Sequence, residues 1–182
     1  WDNAYFGASW DSAALTDLEV VCATEICETV RDEVLGRHTS MGVGGSTPLM
    51  VWPNHPEAVA KVLEWCADRG LAWRILGGGS NMLVSDAGVV EPVVNLTSLI
   101  NGVNLQATMA KLPAGMPTAQ ALRTTIRSGL AGLVWSTGLP GTIGGAVAGN
   151  AGCWGGQMSD IVARIDLIDT AGKWRTLDNN EL

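Results

Sequence analysis

Two glycine-rich stretches hold the residues of this chain best suited to chemistry. One is Leu76-Gly77-Gly78-Gly79-Ser80-Asn81. The other runs from Thr137-Gly138-Leu139-Pro140-Gly141-Thr142 through Ile143-Gly144-Gly145-Ala146-Val147-Ala148-Gly149 to Asn150-Ala151-Gly152. Glycine lets main-chain N–H groups approach an anion with no Cβ in the way. Successive N–H groups in a turn form a nest that binds phosphate oxygens without a lysine. Two such stretches, with Ser85-Asp86 shortly after the first, point to two backbone cradles for one phosphate-bearing cofactor. Taken singly, each reads equally well as a tight turn or a packed glycine-rich segment. Ser80 and Asn81 add side-chain donors. Pro140-Gly141-Thr142 sets a turn, Gly144 and Gly145 admit a flat ligand close to the backbone, and Asn150-Ala151-Gly152 turns again to place an amide beside it.

Other catalytic signatures are missing from the sequence. No GxGxxG follows a strand, and no GKS or GKT follows a glycine loop, so neither a Rossmann fingerprint nor a Walker A loop is present. Asp86 is the most site-like carboxylate, although it serves as well to cap its loop; Glu57, Glu64 and Asp68 read as solvated helix residues. His38 and His55 stand alone. Cys22, Cys27, Cys66 and Cys153 are widely spread and read as thiols in a reducing cytosol rather than as a metal site or disulfides. None of the four has a sequence context that lowers its pKa. An enzyme built on these residues needs a cofactor to carry the hard chemistry.

Composition narrows the class. The 182 residues are 47% hydrophobic and 16% charged, which is globular, and the net charge of -7 argues against a nucleic-acid or anionic-membrane partner. No signal peptide is visible, which suits a cytoplasmic protein. The segment 128–159 carries no charge and has small-xxx-small spacings at Gly141/Gly145 and Gly145/Gly149. Its glycines, Pro140 and Asn150 break any apolar run of about 20 residues, so a membrane helix is rejected.

The elements that position the two stretches follow from periodicity. Residues 1–13, with Trp1, Tyr5, Phe6 and Trp10, show no period and read as a poorly specified tail. Residues 14–37 are compatible with a helix that puts Val21, Ile26 and Val30 on one face. Leu49–Trp52 predicts a strand, and a helix opens at Asn54–Pro56 with Val59, Val62, Leu63 and Cys66 inward and Gly70 as its C-terminal cap. Leu71–Leu76 predicts a strand running into the first glycine cluster, a strand–helix–strand–loop order of α/β type. Met82–Val84, Val93–Leu96 and the alternating Leu105–Leu112 read as further strands. A helix runs from Pro117-Thr118 to Gly129, and Ile165–Ile168 and Trp174–Leu177 make a hairpin about Thr170-Ala171-Gly172. Trp52, Trp65, Trp73, Trp135 and Trp174 read as core, with Trp154 set apart beside the second cluster.

Five segments, in order and spacing, resemble the UDP-N-acetylenolpyruvoylglucosamine reductase (MurB) family over roughly residues 30–182. They are His38-Thr39-Ser40-Met41-Gly42-Val43-Gly44-Gly45, Leu76–Asp86, Gly129-Leu130-Ala131-Gly132-Leu133, Gly138–Val147 and Asn150-Ala151-Gly152. The resemblance implies an α+β, FAD-binding fold of the vanillyl-alcohol-oxidase (PCMH) type with two α/β subdomains: an N-terminal segment 1–30, a first subdomain 31–98 and a second 99–182. It implies FAD as cofactor, NADPH as hydride donor and a UDP-sugar enolpyruvate as substrate, reduced to UDP-N-acetylmuramate in cytoplasmic peptidoglycan synthesis. By carry-over, Gly77, Gly78, Gly79, Ser80, Asn81, Gly138, Pro140, Gly141, Thr142, Gly144 and Gly145 line the FAD pyrophosphate and flavin, with Asn150 and Gly152 nearby. It implies no metal, and a monomer when full length.

Members of that family usually have Tyr where Trp154 stands and commonly Phe where Trp135 stands; both swaps keep an aromatic ring. Their Tyr-Arg-x-Ser segment would begin just after Glu181-Leu182, with the serine proton donor, the catalytic glutamate and most UDP-sugar contacts later still. The resemblance therefore implies catalytic residues beyond Leu182 and an FAD-binding portion that is inactive alone. Two other readings stay open: a different FAD-linked oxidase or dehydrogenase of the same fold, or a non-catalytic domain whose glycine stretches are architectural.

Overall fold

The computed structural model describes residues 9–181. Helix α1 spans Ser12–Thr24, with the Asp11 carboxylate accepting from the Ala14 amide at 2.7 Å as its N-cap. The tail predicted for residues 1–13 is corrected in its described part. Trp10 Nε1 donates to the Ala72 carbonyl at 2.6 Å, and its ring stacks on Trp65 with centroids 6.1 Å apart. Trp1, Tyr5 and Phe6 lie outside the described residues.

The helix predicted over 14–37 stops at Thr24. The chain reverses at Ile26 (φ 57°), and β1 follows as Glu28–Val34. Val21, Ile26 and Val30 therefore share no helical face; Leu18 and Cys22 are the buried residues of α1. Strand pairing overrides helical propensity here, because β1 forms a long antiparallel ladder on β2 (Ser46–Trp52), from Glu28↔Trp52 to Val34↔Ser46. Arg31 on β1 also forks onto the Glu19 carboxylate of α1 at 2.9 and 2.7 Å.

Strand β2 is buried on both faces. Leu49 and Val51 join one core with Leu18, Cys22 and Leu63, while Met50 joins another with Leu35, Leu76 and Val93. Helix α2, Pro56–Asp68, starts with His55 Nδ1 accepting from the Ala58 amide and Pro56 in the first turn, and it buries Val59, Val62, Leu63 and Cys66 as its spacing predicts. Gly70 ends it at φ 61°. Strand β3 is Arg74–Leu76, shorter than the predicted 71–76, and β4 is Val93–Asn95. The sheet order is β1-β2-β4-β3, with β4 parallel to both β2 and β3. Met82–Val84 is not a strand: Leu83 is largely exposed, and Val84 packs against Gly44.

The predicted strand 105–112 is instead a small hairpin of β5 (Asn104–Leu105) and β6 (Ala110–Lys111). Helix α3 is Thr118–Arg127, and the short α4 is Ile143–Ala148. Beyond α4, β7 (Gly152–Cys153) and β8 (Gly156–Gln157) pair across Trp154-Gly155. A third core joins Met116, Ala121, Leu133, Ile143, Ala146 and Met158. The predicted last hairpin is present as β9 (Arg164–Ile168) and β10 (Trp174–Asp178). Its turn lies on α2, where a Cβ at Gly172 would meet the Ala60 carbonyl at 2.4 Å and Lys173 pairs with Glu64. Trp52, Trp65, Trp73 and Trp135 pack on cores, but Trp174 is 51% exposed, a correction to its predicted place.

Strand β3 is locked to the start of β4 by a bidentate pair, Arg74 onto Glu91 at 3.0 and 2.9 Å, with little of the glutamate exposed. The hydrogen bonds from Arg74 hold the Glu91 carboxyl below the usual glutamate range, against the opposing effect of burial. A depressed folded-state pKa adds stability above the unfolded pKa of about 4.3, and that stability is lost as pH falls through the folded value. Glu91→Gln is expected to lower stability by roughly 1–3 kcal/mol at neutral pH. In thermal melts across pH 3–7, the gap between wild type and variant should close below about pH 4; a gap that persists there overturns the assignment.

Candidate functional site

The first glycine loop leaves β3 at Leu76 and meets two other backbones at once. A Cβ added to Gly77 would lie 2.7 Å from Thr142 Oγ1, and one on Gly78 would lie 3.1 Å from the Gly141 Cα. From the other side, a Cβ on Gly141 (φ 95°) would lie 2.5 Å from Ser80 Oγ. Gly79 (φ 63°) is buried against the turn after β1: its Cβ would collide with the His38 carbonyl at 1.9 Å, and the Ser40 amide donates to the Gly79 carbonyl at 3.1 Å. The two predicted stretches are thus brought together, in contact through backbone and the Thr142 and Ser80 side chains.

The turn under Gly79 is itself fixed by side chains. His38 Nε2 is 2.9 Å from Glu33 Oε1, and its ring meets Trp52 edge-on at 5.6 Å. Leu35 and Gly36 amides donate to the Gly45 and Gly44 carbonyls, which carries the same rigidity to the segment beyond Val43. Glu33, His38 and Trp52 are positioning residues that the glycine pattern did not reveal.

Donor accounting separates the two loops. Among the described residues the amides of Gly78, Gly79, Ser80 and Asn81 have no protein acceptor. Four successive free amides follow the end of a parallel strand, an arrangement able to receive an anion. The second stretch commits the amides that open α4, while those of Gly138, Gly141 and Thr142 have no protein acceptor among the described residues. Ile143 donates to the Met116 carbonyl at 2.9 Å, Gly144 to Ala114 at 2.8 Å and Gly145 to Thr142 Oγ1 at 3.4 Å. Gly144 is forced by protein rather than by a flat ligand, because its Cβ would sit 2.9 Å from the Ala114 Cβ. Thr118 holds the turn below, its amide and hydroxyl both donating to the Gly141 carbonyl.

The remaining predicted residues fall elsewhere. Pro140 is exposed, and Gly138 (φ 83°) has open space on its side-chain face. Asn150 (φ 41°) lies past the far end of α4, a helix about 9 Å long that separates it from Thr142. Its amide side chain is committed to Ser159 N–H at 2.9 Å and to Gln157. Gly152 sits in the β7 hairpin behind it. Trp154 is 81% exposed, with its indole N–H on the Thr137 carbonyl. Ser85 caps its turn through the Ala87 amide, and that turn closes over Gly45, so Ser85-Asp86 belongs to the support of the first loop. A surface recess of roughly 330 Å³ is lined by Lys111, Asp166, Trp174, Arg175 and Thr176, and no residue of either loop borders it.

The residues present suit a pyrophosphate-bearing cofactor: free amides, a hydroxyl at Ser80, and loop positions where any Cβ would intrude on the other loop. The comparisons agree. A family model described as an FAD binding domain matches residues 47–178. The UDP-N-acetylenolpyruvoylglucosamine reductase of Heliobacterium modesticaldum is 33% identical over 153 residues, 84% of this chain and 49% of the relative. That of Geobacter sulfurreducens is 38% identical over 145 residues, 80% of this chain and 48% of the relative. The chain spans about half the length of the curated relatives it matches. Among solved structures, UDP-N-acetylenolpyruvylglucosamine reductase from Thermus caldophilus aligns with a TM-score of 0.68 at 28% identity, over 86% of this chain and 53% of that one. Berberine bridge enzyme aligns at 0.65 with 14% identity over 93% of this chain and 38% of that one, a likeness of fold alone. With residues 47–178 matched, this chain belongs to the FAD binding domain family.

Proposed function

We propose that this chain is the FAD-holding part of a UDP-N-acetylenolpyruvoylglucosamine reductase. The observation that carries the proposal is the seating of Gly77 and Gly78 on Gly141 and Thr142, next to four unpaired amides, in a chain 33–38% identical to such reductases. Bound FAD would supply two-electron, hydride-transfer chemistry. The chain's own residues hold and orient it. The amides of Gly78, Gly79, Ser80 and Asn81 take the pyrophosphate, with the Ser80 hydroxyl beside them. Gly138, Pro140, Gly141, Thr142, Gly144 and Gly145 border the flavin, with Asn150 and Gly152 further along. In this reading NADPH provides the hydride, the enolpyruvyl C=C of a UDP-sugar receives it, and the product is UDP-N-acetylmuramate for peptidoglycan synthesis, cell shape and division. The protein acts in the cytoplasm as a monomer when full length, with no nucleic-acid or membrane partner.

We also propose the division into subdomains at 31–98 and 99–182. Two cores lie on the β-sheet side and the third around α3 and α4, which supports it; the β9–β10 turn crosses back to α2 and pins the two together. Another FAD-linked oxidoreductase of this fold is the second reading. The berberine-bridge-type neighbour supports it in fold only, and its low identity places it behind the first.

Titration with FAD tests the proposal. The protein should turn yellow, with absorbance near roughly 450 nm. FAD at about 100 times its Kd should stabilise the fold by about 2.7 kcal/mol, a rise of roughly 5–10 °C in Tm. A colourless protein whose melt ignores FAD overturns it.

Loop contact gives a sharper test. Gly78→Ala must push the loops apart by a few tenths of an ångström, and FAD affinity should fall at least about tenfold, some 1.4 kcal/mol, since the donors act only when held in place. Gly42→Ala, at φ 66° with open space around it, serves as the control. It should cost about 1 kcal/mol of stability and leave FAD affinity unchanged. Equal effects of both variants on affinity would assign the glycines to architecture alone.

A further inference from the structure

Helix α1 ends in a way its sequence conceals. The Ile26 amide donates to the Ala23 carbonyl at 3.3 Å and the Cys27 amide to the Cys22 carbonyl at 2.8 Å. Those two bonds, with Ile26 left-handed at φ 57°, are a Schellman termination, in which the residue after the left-handed one is folded back onto the last full turn of the helix. Glycine usually occupies the left-handed position. Here it is a β-branched isoleucine, 70% exposed, in a region such residues rarely visit. The contact that the motif creates joins Cys22 to Cys27. Their side chains belong to the same core, Cys22 fully buried and Cys27 half-buried at its edge with Sγ 3.9 Å from the Glu25 carbonyl. The 2.8 Å backbone bond brings the two Cα atoms within disulfide-forming range, about 4.4–6.8 Å.

We propose that Cys22 and Cys27 form a thiol modification site, oxidised by a low-molecular-weight disulfide to an intramolecular disulfide that ties the end of α1 to the start of β1.

The two sulfurs have different tasks. The Cys22 thiol beside it draws the Cys27 thiol below its ordinary range, against burial and the charge of Glu25. The neighbouring Cys27, then burial, pushes Cys22 up. Cys27 is therefore the accessible nucleophile. Its thiolate attacks one sulfur of the incoming disulfide, forms a mixed disulfide and releases one thiolate. Cys22 no longer lies beside a thiolate at that point, so the largest cause of its reluctance to ionise is gone. It loses its proton and attacks Cys27 Sγ, displacing the second small thiol. Two protein thiols are oxidised, and one small disulfide is reduced to two thiols. Cys66 lies in the same core, but burial pushes it up to about 12 and gives it no access to solvent.

The test is incubation of the full chain with oxidised glutathione in the absence of air, followed by intact mass, alkylation mapping and thermal melts. The wild type should lose two hydrogens, retain no glutathione, protect Cys22 and Cys27 from alkylation while Cys66 and Cys153 remain reduced, and melt several degrees higher. Cys22→Ala, which keeps that core site apolar, should stop at one glutathione on Cys27, released by dithiothreitol. Cys27→Ser should leave Cys22 unmodified in the folded chain. A lasting glutathione adduct on wild-type Cys27, a bond to Cys66 or Cys153, or no reaction at Cys27 overturns the proposal. None of these readouts involves FAD, so they are independent of the functional reading above.

Discussion

The structure depends on one three-way backbone contact, in which the loop after β3 rests on the turn at His38–Ser40 and against the turn at Gly141-Thr142. Apart from the short side chains of Thr142 and Ser80, it is made by main chain. The Gly79 carbonyl accepts from Ser40, and Gly77 and Gly78 lie within van der Waals distance of the second turn only because they lack Cβ atoms. Protein interiors are packed too densely to absorb an added carbon at three adjacent points. The contact therefore fixes the relative position of segments far apart in sequence, and everything the loop can hold inherits that position. Glu33, His38 and Trp52 brace one side and Thr118 the other, so the glycines are restrained although each is intrinsically loose.

The second glycine stretch offers none of the donors that open its helix. Helix α4 is only six residues long, and its first amides are consumed by Met116, Ala114 and the Thr142 hydroxyl. A helix start usually offers free N–H groups to an anion; this one offers them to its own fold. The division is economical in physical terms. One loop leaves four successive amides without a protein acceptor, with Gly78 and Asn81 exposed, while the other commits the three amides that open α4. An unsatisfied donor that stayed buried would be costly, whereas one at an open loop is not.

Much of this was legible beforehand. Helix α2 and the last hairpin follow their periodicity, and the two glycine stretches that the sequence paired do meet in the fold. The exceptions have specific physical causes. The α1–β1 break was invisible because Ile26 holds a position that glycine normally marks, so no punctuating residue announced the turn. The span 105–112 alternates in polarity but folds at Gln106–Met109 into a two-rung hairpin, since alternation is blind to where a strand reverses. Trp174 reads as core by residue type, yet the face of β10 that carries it has no neighbouring layer. The Cys27 environment could not be read from sequence, because the thiol that changes it arrives through a helix-ending motif and not through a charged neighbour.

Net charge makes the reliance on amides intelligible. The chain carries -7 overall, and FAD brings a pyrophosphate of the same sign. Several of the described carboxylates are committed to cations: Glu19 to Arg31, Glu64 to Lys61 and Lys173, Glu91 to Arg74, and Asp166 to Lys111. These pairs leave little local field, and at physiological salt the remaining excess is screened beyond about 8 Å. What decides phosphate binding is then what lies within hydrogen-bond distance of its oxygens. In the proposed reading, the amides of Gly78–Asn81 would act there without adding a formal charge or a flexible side chain to be ordered. A lysine in the same place would find competing carboxylates in a chain so acidic, whereas an amide fixed in a turn is held where it is. The proposal thus assigns to Gly77–Asn81, and to the turn that supports them, a role that geometry rather than charge would carry.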